Sequence, residues 1–309
     1  MTSTTEFPLV GIVVVNYNGM AFLPACVESL TQQDYANCLP IFVDNASTDA
    51  SREWISQLGE PFVTVLLNEN TGVTGGNNAG IQRALELGCD EVFVLNNDTV
   101  LRPDAVRQLV MARDPDMLLT PRIYSMDLPR TVNTYFGDFD YLLGRSQQRF
   151  FGEPDSPITE RSSEGTMASL CALMIPAAAI REIGLMDDRY FMYFDDVDYV
   201  SRAVEAGYRV KYVPEACIFH RESSSSGADR LGPLPLYYQT RNRLFFMKEH
   251  QPELLKLWVF FLYFWMTRTV YLVLWICKGD RRSLHAFWAA IGDYRAGHFG
   301  YAPPSRFAI

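Results

Sequence analysis

Three carboxylates lie close together at residues 193–198, in the segment Tyr-Phe-Asp-Asp-Val-Asp. Neighbouring carboxylates repel each other and apolar surroundings disfavour their charged form, so one pKa can rise to the range of a general base. Asp195 and Asp196 adjoin the aromatic residues and are the candidates for this role. The alternative is an acidic helix N-terminus, which the helix dipole stabilises, and Asp198 fits that alternative.

A second candidate site lies at residues 95–99, where an apolar run ends in Leu-Asn-Asn-Asp-Thr. Asp98 is a candidate ligand of a divalent cation, because such ions prefer oxygen ligands. The alternative is an Asx-turn before Pro103. His220 also ends an apolar run, next to a run of serines. An isolated histidine is usually structural, but its place at a strand end makes His220 a second candidate.

Two further polar segments suit a nucleotide. Asp44 and Asn45 end an apolar run, and a side chain that both donates and accepts matches the edge of a pyrimidine. Helix capping alone explains residues 47–49. The glycine-rich turn at residues 70–80 would let backbone amides approach a diphosphate, although many such turns bind nothing. It is neither a Walker loop nor a GxGxxG after the first strand, which argues against an ATPase or an NAD enzyme.

Apolar runs and helical patterns alternate along the first hundred residues. Strands are expected at residues 10–15, 41–43, 63–67 and 92–95, and helices at 21–30, 50–58 and 77–87. This alternation predicts a parallel sheet covered by helices on both faces. Ligands bind beyond the carboxyl ends of such strands, so the polar segments should meet at one edge.

The rest of the chain is less regular. Residues 122–164 are polar and aromatic with scattered Pro and Gly, which predicts long loops and irregular strands. A helix at 196–206 and a strand at 208–213 follow, and the serines at 223–226 with Gly227 predict a flexible joint. From Pro252 onward the sequence is rich in aromatic and aliphatic residues.

Composition excludes several classes of protein. The chain has 309 residues, 48% hydrophobic and 20% charged, which excludes a disordered or collagen-like chain. The net charge of -9 argues against a nucleic-acid partner. Six cysteines without a CxxC pair indicate neither a zinc site nor a disulfide framework. The N-terminus has no basic residues before its apolar run, so no signal peptide is expected.

Taken in order, these segments resemble the inverting glycosyltransferases of family 2, and within them the rhamnosyltransferases that act on polyprenyl-diphosphate-linked sugars. The segments that carry the resemblance are residues 14–19, 43–49, 70–81, 95–99, 191–198, 220 and 237–242. The resemblance implies an α/β GT-A fold at 1–250, Rossmann-like with a mostly parallel sheet and flanking helices. Its nucleotide-sugar half would lie at about 9–120 and its acceptor half at about 121–250, followed by an aromatic-rich, membrane-associating helical tail at 251–309.

The resemblance also assigns roles to residues. Asn96 stands where the family's DxD motif has its first Asp, which leaves Asp98 as a metal ligand, and His220 matches a second ligand. The family's Glu-Asp pair is Asp195-Asp196 here, and Asp196 matches the catalytic base. Val15 and Asn45 would border the pyrimidine, and Arg241 and Asn242 would contact the acceptor or the diphosphate. The expected nucleotide-sugar site is Val15, Asn16, Asp44, Asn45, Gly76, Asn77, Asn78, Asn96, Asn97 and Asp98.

An inverting transfer is a single in-line displacement at the anomeric carbon. One carboxylate deprotonates the acceptor hydroxyl, and a divalent cation, Mg²⁺ or Mn²⁺, neutralises the leaving nucleoside diphosphate. The resemblance implies dTDP-rhamnose as the donor and a lipid-linked or cell-surface glycan as the acceptor. An inactive homologue or scaffold at the membrane would tolerate loss of the candidate residues, yet all are present. A sugar-nucleotide pyrophosphorylase would need an early Gly-rich loop with Arg and Lys, which residues 11–20 lack.

Residues 254–277 contain only two charged side chains, Lys256 and Arg268, and are long enough to span a bilayer. Arg268 near the middle of a span would cost about 2.5–3.5 kcal/mol, and the basic residues at 278–282 would violate the positive-inside tendency. A helix lying in the interface fits better; the alternative is a buried core helix or a homodimer face. We therefore expect a cytoplasmic protein, peripheral on the inner face of the plasma membrane.

Overall fold

The computed structural model describes residues 7–128, 130–221, 232–303 and 306. The strands are β1 Val10–Asn16, β2 Cys38–Asp44, β3 Val63–Leu66, β4 Glu91–Asn96, β5 Thr99–Leu101, β6 Met117–Ser125, β7 Thr131–Asp140, β8 Arg145–Pro154, β9 Ser163–Gly165, β10 Met167–Ala168, β11 Ala172–Pro176 and β12 Arg209–His220. The helices are α1 Leu23–Thr31, α2 Ser51–Ser56, α3 Gly72–Glu86, α4 Ala105–Ala112, α5 Ala177–Ile183, α6 Asp195–Glu205, α7 Pro233–His250, α8 Leu254–Lys278 and α9 Arg281–Ala296.

The sheet has a parallel part and a mixed part. Strands β3, β2, β1 and β4 are neighbours in this order and run parallel. Beyond β4 the sheet continues through β11, which is antiparallel to β4, and then through β6, β7 and β10. The predicted α/β architecture is confirmed.

Both faces of the parallel strands are buried, as their unbroken apolar runs predicted. In β1, Ile12 packs into one hydrophobic cluster with α1 and α4, while Val13 packs into a second cluster with α3 and α6. Side chains alternate between the faces of a strand, so a sheet covered on both sides needs apolar residues at every position.

The irregular strands predicted for residues 122–164 are confirmed, whereas much of the region predicted as long loops is strand. The region contains an antiparallel pair, β7 and β8, whose register shifts at two places and which is joined by the turn at 141–144. Most of β8 is exposed, so its outward residues are polar and the strand lacks the apolar run of a buried one. The joint predicted at 223–227 lies outside the described residues.

The C-terminal helices α8 and α9 pack against α7. Tyr237 on α7 donates a 2.5 Å hydrogen bond to Asp293 on α9. Phe246 on α7 belongs to one hydrophobic cluster with Phe264 on α8 and Phe287 on α9. The domain boundary predicted at residue 250 stays a prediction, and these contacts show that α9 and α7 share a core across it.

Helix α8 is 25 residues long with a mean hydropathy of 1.6, which is long and apolar enough to cross a membrane. Among the described helices it is the one with these properties, which by itself is weak evidence for a span. Phe260 and Phe264 are buried against the protein, whereas Trp258, Leu262 and Met266 are more than 60% exposed. A broad apolar face of α8 is thus left uncovered.

Candidate active site

The carboxyl ends of β1, β2 and β4 are tied together by buried polar side chains. Asn16 lies at the end of β1, and its Nδ2 is 2.8 Å from Oγ of Ser51 and 3.3 Å from Oδ1 of Asp44. Its Oδ1 accepts a 2.7 Å hydrogen bond from Asn97, which follows β4. The three predicted nucleotide-site residues Asn16, Asp44 and Asn97 therefore lie together, in a network that holds the strand ends in register.

Asp44 also forms an ion pair with Arg52. Its Oδ2 lies 2.9 Å from Nη1 of Arg52, and it accepts a hydrogen bond from the backbone N–H of Ser47. The carboxylate is fully buried and fixes the turn that enters α2. Its predicted contact with a nucleotide stays a prediction.

The predicted glycine-rich turn is in fact the first part of α3. The helix begins at Gly72, not near residue 77. A Cβ on Gly76 would lie 2.6 Å from Cγ1 of Val15, and one on Gly80 would collide with Val13. These two glycines are one turn apart on the helix face that meets β1, so they are needed for close packing of α3 on the sheet.

The first amides of α3 are also occupied. The N–H groups of Val73 and Thr74 donate to the carbonyl oxygen of Phe191, at 2.7 and 3.4 Å. Asn45 completes this end of the helix: its Nδ2 donates to the carbonyl oxygen of Gly72 at 2.8 Å. The N–H groups of Val73 and Thr74 thus bind the loop before α6, and the approach of a diphosphate to this segment stays a prediction.

The loop before α6 is also held by Asn78. Its Nδ2 donates to the carbonyl oxygen of Met186 and to Asp188, both at 2.9 Å, and its Oδ1 accepts from the N–H of Met186. The neighbouring Asn77 is buried on the same helix. Both residues lie at the predicted edge, and their contacts with a donor stay predictions.

Asp98 and His220 are in direct contact. His220 ends β12 opposite Thr99 of β5, and its Nε2 lies 3.1 Å from Oδ1 of Asp98. Both side chains are buried. Burial lowers the pKa of His220, but the neighbouring thiol of Cys171 and the Asp98 carboxylate raise it to about 11.

Metal binding by this pair stays a prediction. Once His220 has lost its proton, the carboxylate and the imidazole would supply two ligands and leave positions for the diphosphate oxygens and water. No group of three or more His, Cys, Asp or Glu side chains suited to a metal occurs among the described residues.

Asp195 and Asp196 open α6 after a strained loop. Phe191, Tyr193 and Phe194 have positive φ, which is rare for such residues and is maintained only where surrounding structure enforces it. Burial raises the pKa of both carboxyl groups, and the charge of Asp196 raises that of Asp195 further. A raised pKa is the property expected of a general base.

Asp198 has the structural role that the sequence suggested. Its Oδ2 lies 2.9 Å from Nε of Arg202, and its Oδ1 lies 2.9 Å from Nε2 of His250. Burial acts to raise the pKa of Asp198, but the hydrogen bond from His250 and the charge of Arg202 outweigh it and lower the pKa. Asp198 thus joins α6 to α7 as a paired carboxylate.

Sequence reasoning missed the segment that joins the two acidic sites. Because β11 runs antiparallel to β4, residues 169–171 lie at the edge where β4 ends. Ser169 lies close enough to Asp196 to lower its pKa against the effect of burial, and Cys171 lies close enough to His220 to raise its pKa against the effect of burial. Residues 166–175 form an apolar run in the sequence, but such a run does not show the direction of the strand in the sheet.

Arg241 and Asn242 lie beneath the loop that leads to Asp195. Nδ2 of Asn242 is within 2.9 Å of the carbonyl oxygens of Tyr190, Met192 and Tyr193. Arg241 is 1% exposed, and its guanidinium donates to the carbonyl oxygens of residues 189, 190 and 300. These are contacts of positioning residues, and direct acceptor binding stays a prediction.

Residues 11–151 match the family described as Glycosyl transferase family 2. The chain carries a glycosyltransferase family 2 domain. This domain contains the strand ends from Asn16 to Asp98, while Asp196 and His220 lie beyond the matched residues. The prediction that the chain is a glycosyltransferase is confirmed.

Two curated relatives are rhamnosyltransferases. The chain is 23% identical over 256 residues to dTDP-rhamnosyl transferase RfbF of Shigella flexneri, covering 79% of this chain and 82% of that protein. It is 26% identical over 262 residues to N-acetylglucosaminyl-diphospho-decaprenol L-rhamnosyltransferase of Mycobacterium tuberculosis, covering 74% and 81%.

Solved structures show the same fold at low identity. A mannosyltransferase from Pyrobaculum calidifontis in complex with GDP-Man and Mn²⁺ has a TM-score of 0.56 and 12% identity, covering 95% of this glycosyltransferase and 88% of that chain. GalNAc-T7 with UDP, GalNAc and Mn²⁺ also has a TM-score of 0.56, at 14% identity and 76% coverage, but the present chain spans about half of its length, 47%.

Proposed function

We propose that this glycosyltransferase is an inverting, metal-dependent enzyme that transfers L-rhamnose from dTDP-rhamnose to a lipid-linked or cell-surface glycan. The names of the two curated relatives support the sugar, and one of them also supports a polyprenyl-diphosphate acceptor. The observation that carries the proposal is the placement of the Asp98–His220 pair and the Asp195–Asp196 pair next to the same short segment, residues 169–171, at the edge where β4 ends.

Asp98 and His220 would hold Mg²⁺ or Mn²⁺. The bound cation would neutralise the charge that develops on the leaving nucleoside diphosphate. The solved structures that contain Mn²⁺ support this choice of ion. Asn96 lies beside the pair at the end of β4, where its amide would contact the donor.

Asp196 would take the proton of the acceptor hydroxyl. Its raised pKa lets the carboxylate accept a proton near neutral pH. The N–H of Val197, which donates to Oδ1 at 2.8 Å, holds the carboxyl group in place. Asp195, buried behind it, is the positioning partner in the pair.

The donor base would lie against β1 and the start of α3. Val15 and Asn45 line this position together with Gly76, whose missing side chain keeps the approach close. Asn16, Asp44, Asn78 and Asn97 would act indirectly, because their polar atoms already bind protein groups. Asn77 completes the proposed site.

The uncovered face of α8 would bind the inner surface of the plasma membrane, as a peripheral contact. Lys278 at the end of α8 and Arg281 and Arg282 at the start of α9 would add attraction to anionic headgroups of about 1 kcal/mol each. A second copy of this chain is the other candidate to cover this face. A lipid-linked acceptor would then share the surface on which the enzyme lies.

A panel of nucleotide sugars tests the proposal. Release of nucleoside diphosphate is measured for dTDP-, UDP- and GDP-sugars, with Mg²⁺, Mn²⁺ or a chelator, and with or without a polyprenyl-diphosphate-linked acceptor. We expect acceptor-dependent release from dTDP-rhamnose that needs the cation, and little release by Asp196→Asn. Turnover of only a UDP- or GDP-sugar would show that the proposed donor is wrong.

A further inference from the structure

Two arginines lie close together in the protein without an acidic partner. Arg243 on α7 and Arg268 on α8 both lie over the ring of Phe264, with Cζ at 5.9 and 5.6 Å from its centroid. Nε of each is buried and has no hydrogen-bond partner. Within the described part of the chain, neither guanidinium forms an ion pair with a carboxylate.

The charges nearest to Arg243 are also positive. Burial lowers its pKa, and the charge of Arg268 lowers it further, to about 10, with Arg145 acting in the same direction. Arg145 lies in the turn region between β7 and β8, half exposed, with Asp140 as a distant partner at 3.8 Å. Nη2 of Arg243 reaches this turn by a 2.6 Å hydrogen bond to the carbonyl oxygen of Leu143.

Two partly buried guanidinium groups without a counterion destabilise the fold unless an anion binds to them. A buried charge without a counterion loses its hydration without gaining a partner. Aromatic rings stabilise the two guanidiniums in part, but they accept no hydrogen bond from the free Nε–H groups. Both arginine side chains are partly exposed. An anion with several oxygens would bind the accessible part of the guanidinium groups and remove the repulsion, since guanidinium groups bind phosphate through paired hydrogen bonds.

We propose that Arg145, Arg243 and Arg268 bind the phosphate of a membrane lipid. Arg268 lies on the side of α8 that also carries Phe264, whereas the exposed Leu262 and Met266 lie on the opposite side. A helix half-immersed in the interface through its exposed side would keep the arginines at the level of the headgroups, where phosphates are found. This assignment of lipid phosphate rests on the proposed membrane contact of α8 and not on the identity of the sugar.

Helix α7 links this arginine cluster to the proposed base. Asn242, the residue before Arg243, holds the loop at 190–193 that leads into Asp195. A phosphate bound on the arginine side of α7 would therefore order the helix that positions the loop. The phosphate belongs either to the polyprenyl-diphosphate acceptor or to a bulk anionic phospholipid, and the experiment separates the two.

Binding of the full chain to vesicles is measured with three compositions: phosphatidylcholine alone, with phosphatidylglycerol, or with polyprenyl diphosphate. The variants are Arg243→Gln and Arg268→Gln. Arg83→Gln on α3 is the matched control, since Arg83 forms an ordinary surface pair with Glu86. We expect each test variant to bind the phosphate-bearing vesicles about tenfold more weakly than the control does.

A loss confined to polyprenyl diphosphate assigns the site to the acceptor, and an equal loss on phosphatidylglycerol assigns it to bulk lipid. A second measurement does not depend on membranes: inorganic diphosphate should raise the Tm of the wild type and of Arg83→Gln more than that of either test variant. Equal vesicle binding and equal Tm increases in all four proteins would overturn the proposal. Turnover of dTDP-rhamnose with a soluble acceptor tests the proposed function separately.

Discussion

The side-chain nitrogen of Asn242 lies 2.8 Å from the carbonyl oxygen of Met192. The same nitrogen is 2.9 Å from the carbonyl oxygens of Tyr190 and Tyr193. Phe191 and Tyr193 have positive φ, a conformation that costs on the order of 1–3 kcal/mol per residue. One buried amide on α7 therefore holds the strained backbone that leads into the carboxylate pair.

Replacing Asn242 with Ala should slow catalysis more than it weakens donor binding. The change leaves three buried carbonyl oxygens without this donor and should cost about 1–3 kcal/mol of unfolding free energy. We expect kcat to fall while KM for the donor changes little. Urea unfolding and steady-state kinetics measure the two effects. Gln251→Ala is the control, because Gln251 is a buried amide that follows α7 and donates to the carbonyl oxygen of Tyr141. This substitution should lower stability and leave kcat nearly unchanged.

Removing either proposed metal ligand should weaken cation-dependent donor binding. Asp98→Ala and His220→Ala each delete one of the two protein ligands. Titration calorimetry of dTDP in Mn²⁺ and in a chelator should show a cation effect in the wild type that is reduced in both variants. Asp104→Ala removes a nearby carboxylate that pairs with Arg102 and should retain the effect. Full activity of both ligand variants in chelator contradicts the metal site.

Asp196→Asn should lower the transfer rate by about 10²–10⁴ with donor affinity nearly unchanged, because the side chain serves the acceptor hydroxyl. A base works only when deprotonated, and burial raises the pKa of Asp196. As the pH is lowered, the wild-type rate should therefore begin to fall at a higher pH than it would with a base of ordinary carboxyl pKa. If the Asp196→Asn variant is active and the Asp195→Asn variant is inactive, Asp195 is the base and the assignment within the pair is wrong.

Asp195→Asn should stabilise the fold at high pH. Burial and Asp196 raise the pKa of Asp195, so the folded state binds this proton more tightly than the unfolded state. The stability that the protonated group contributes is present at low pH and is lost as pH rises through the raised pKa. Urea unfolding at about pH 5 and about pH 9 should show a larger gain for the variant at the higher pH. Asp34→Asn, at an exposed pair with Arg107, controls for loss of a surface carboxylate, and an equal gain there would refute the explanation.

The exposed face of α8 should be required for membrane binding. Trp258, Leu262 and Met266 recur at every fourth residue and are exposed, so changing all three to Ser should abolish flotation with anionic liposomes while the fold persists. Truncation near Pro252 is a poorer test, because it also removes α9 from its contacts with α7. A peripheral helix should also be released by alkaline carbonate. If the full-length chain stays soluble with anionic liposomes present, the helix covers another surface.

Local patterns in the sequence predict much of the architecture. Apolar runs and helical periods predicted β1 to β4 and their helices, because a strand buried on both faces cannot contain polar residues. Because parallel strands end at one edge of a sheet, the sequence alone predicts that Asn16, Asp44 and Asp98 lie together. The sequence therefore predicts the part of the candidate site that lies at the ends of β1, β2 and β4.

The sequence does not predict which distant segments of the chain meet, and only the tertiary structure shows these contacts. Ser169 and Cys171 join the site because β11 returns antiparallel beside β4, and strand direction leaves no mark on an apolar run. The glycines of α3 resemble a phosphate loop locally, yet their contacts with β1 show a need for close packing. Asn242 stands in a polar stretch of the sequence and could be a surface amide. The fold instead buries it on α7 under the loop, where its side-chain nitrogen lies within hydrogen-bond distance of the carbonyl oxygens of Tyr190, Met192 and Tyr193.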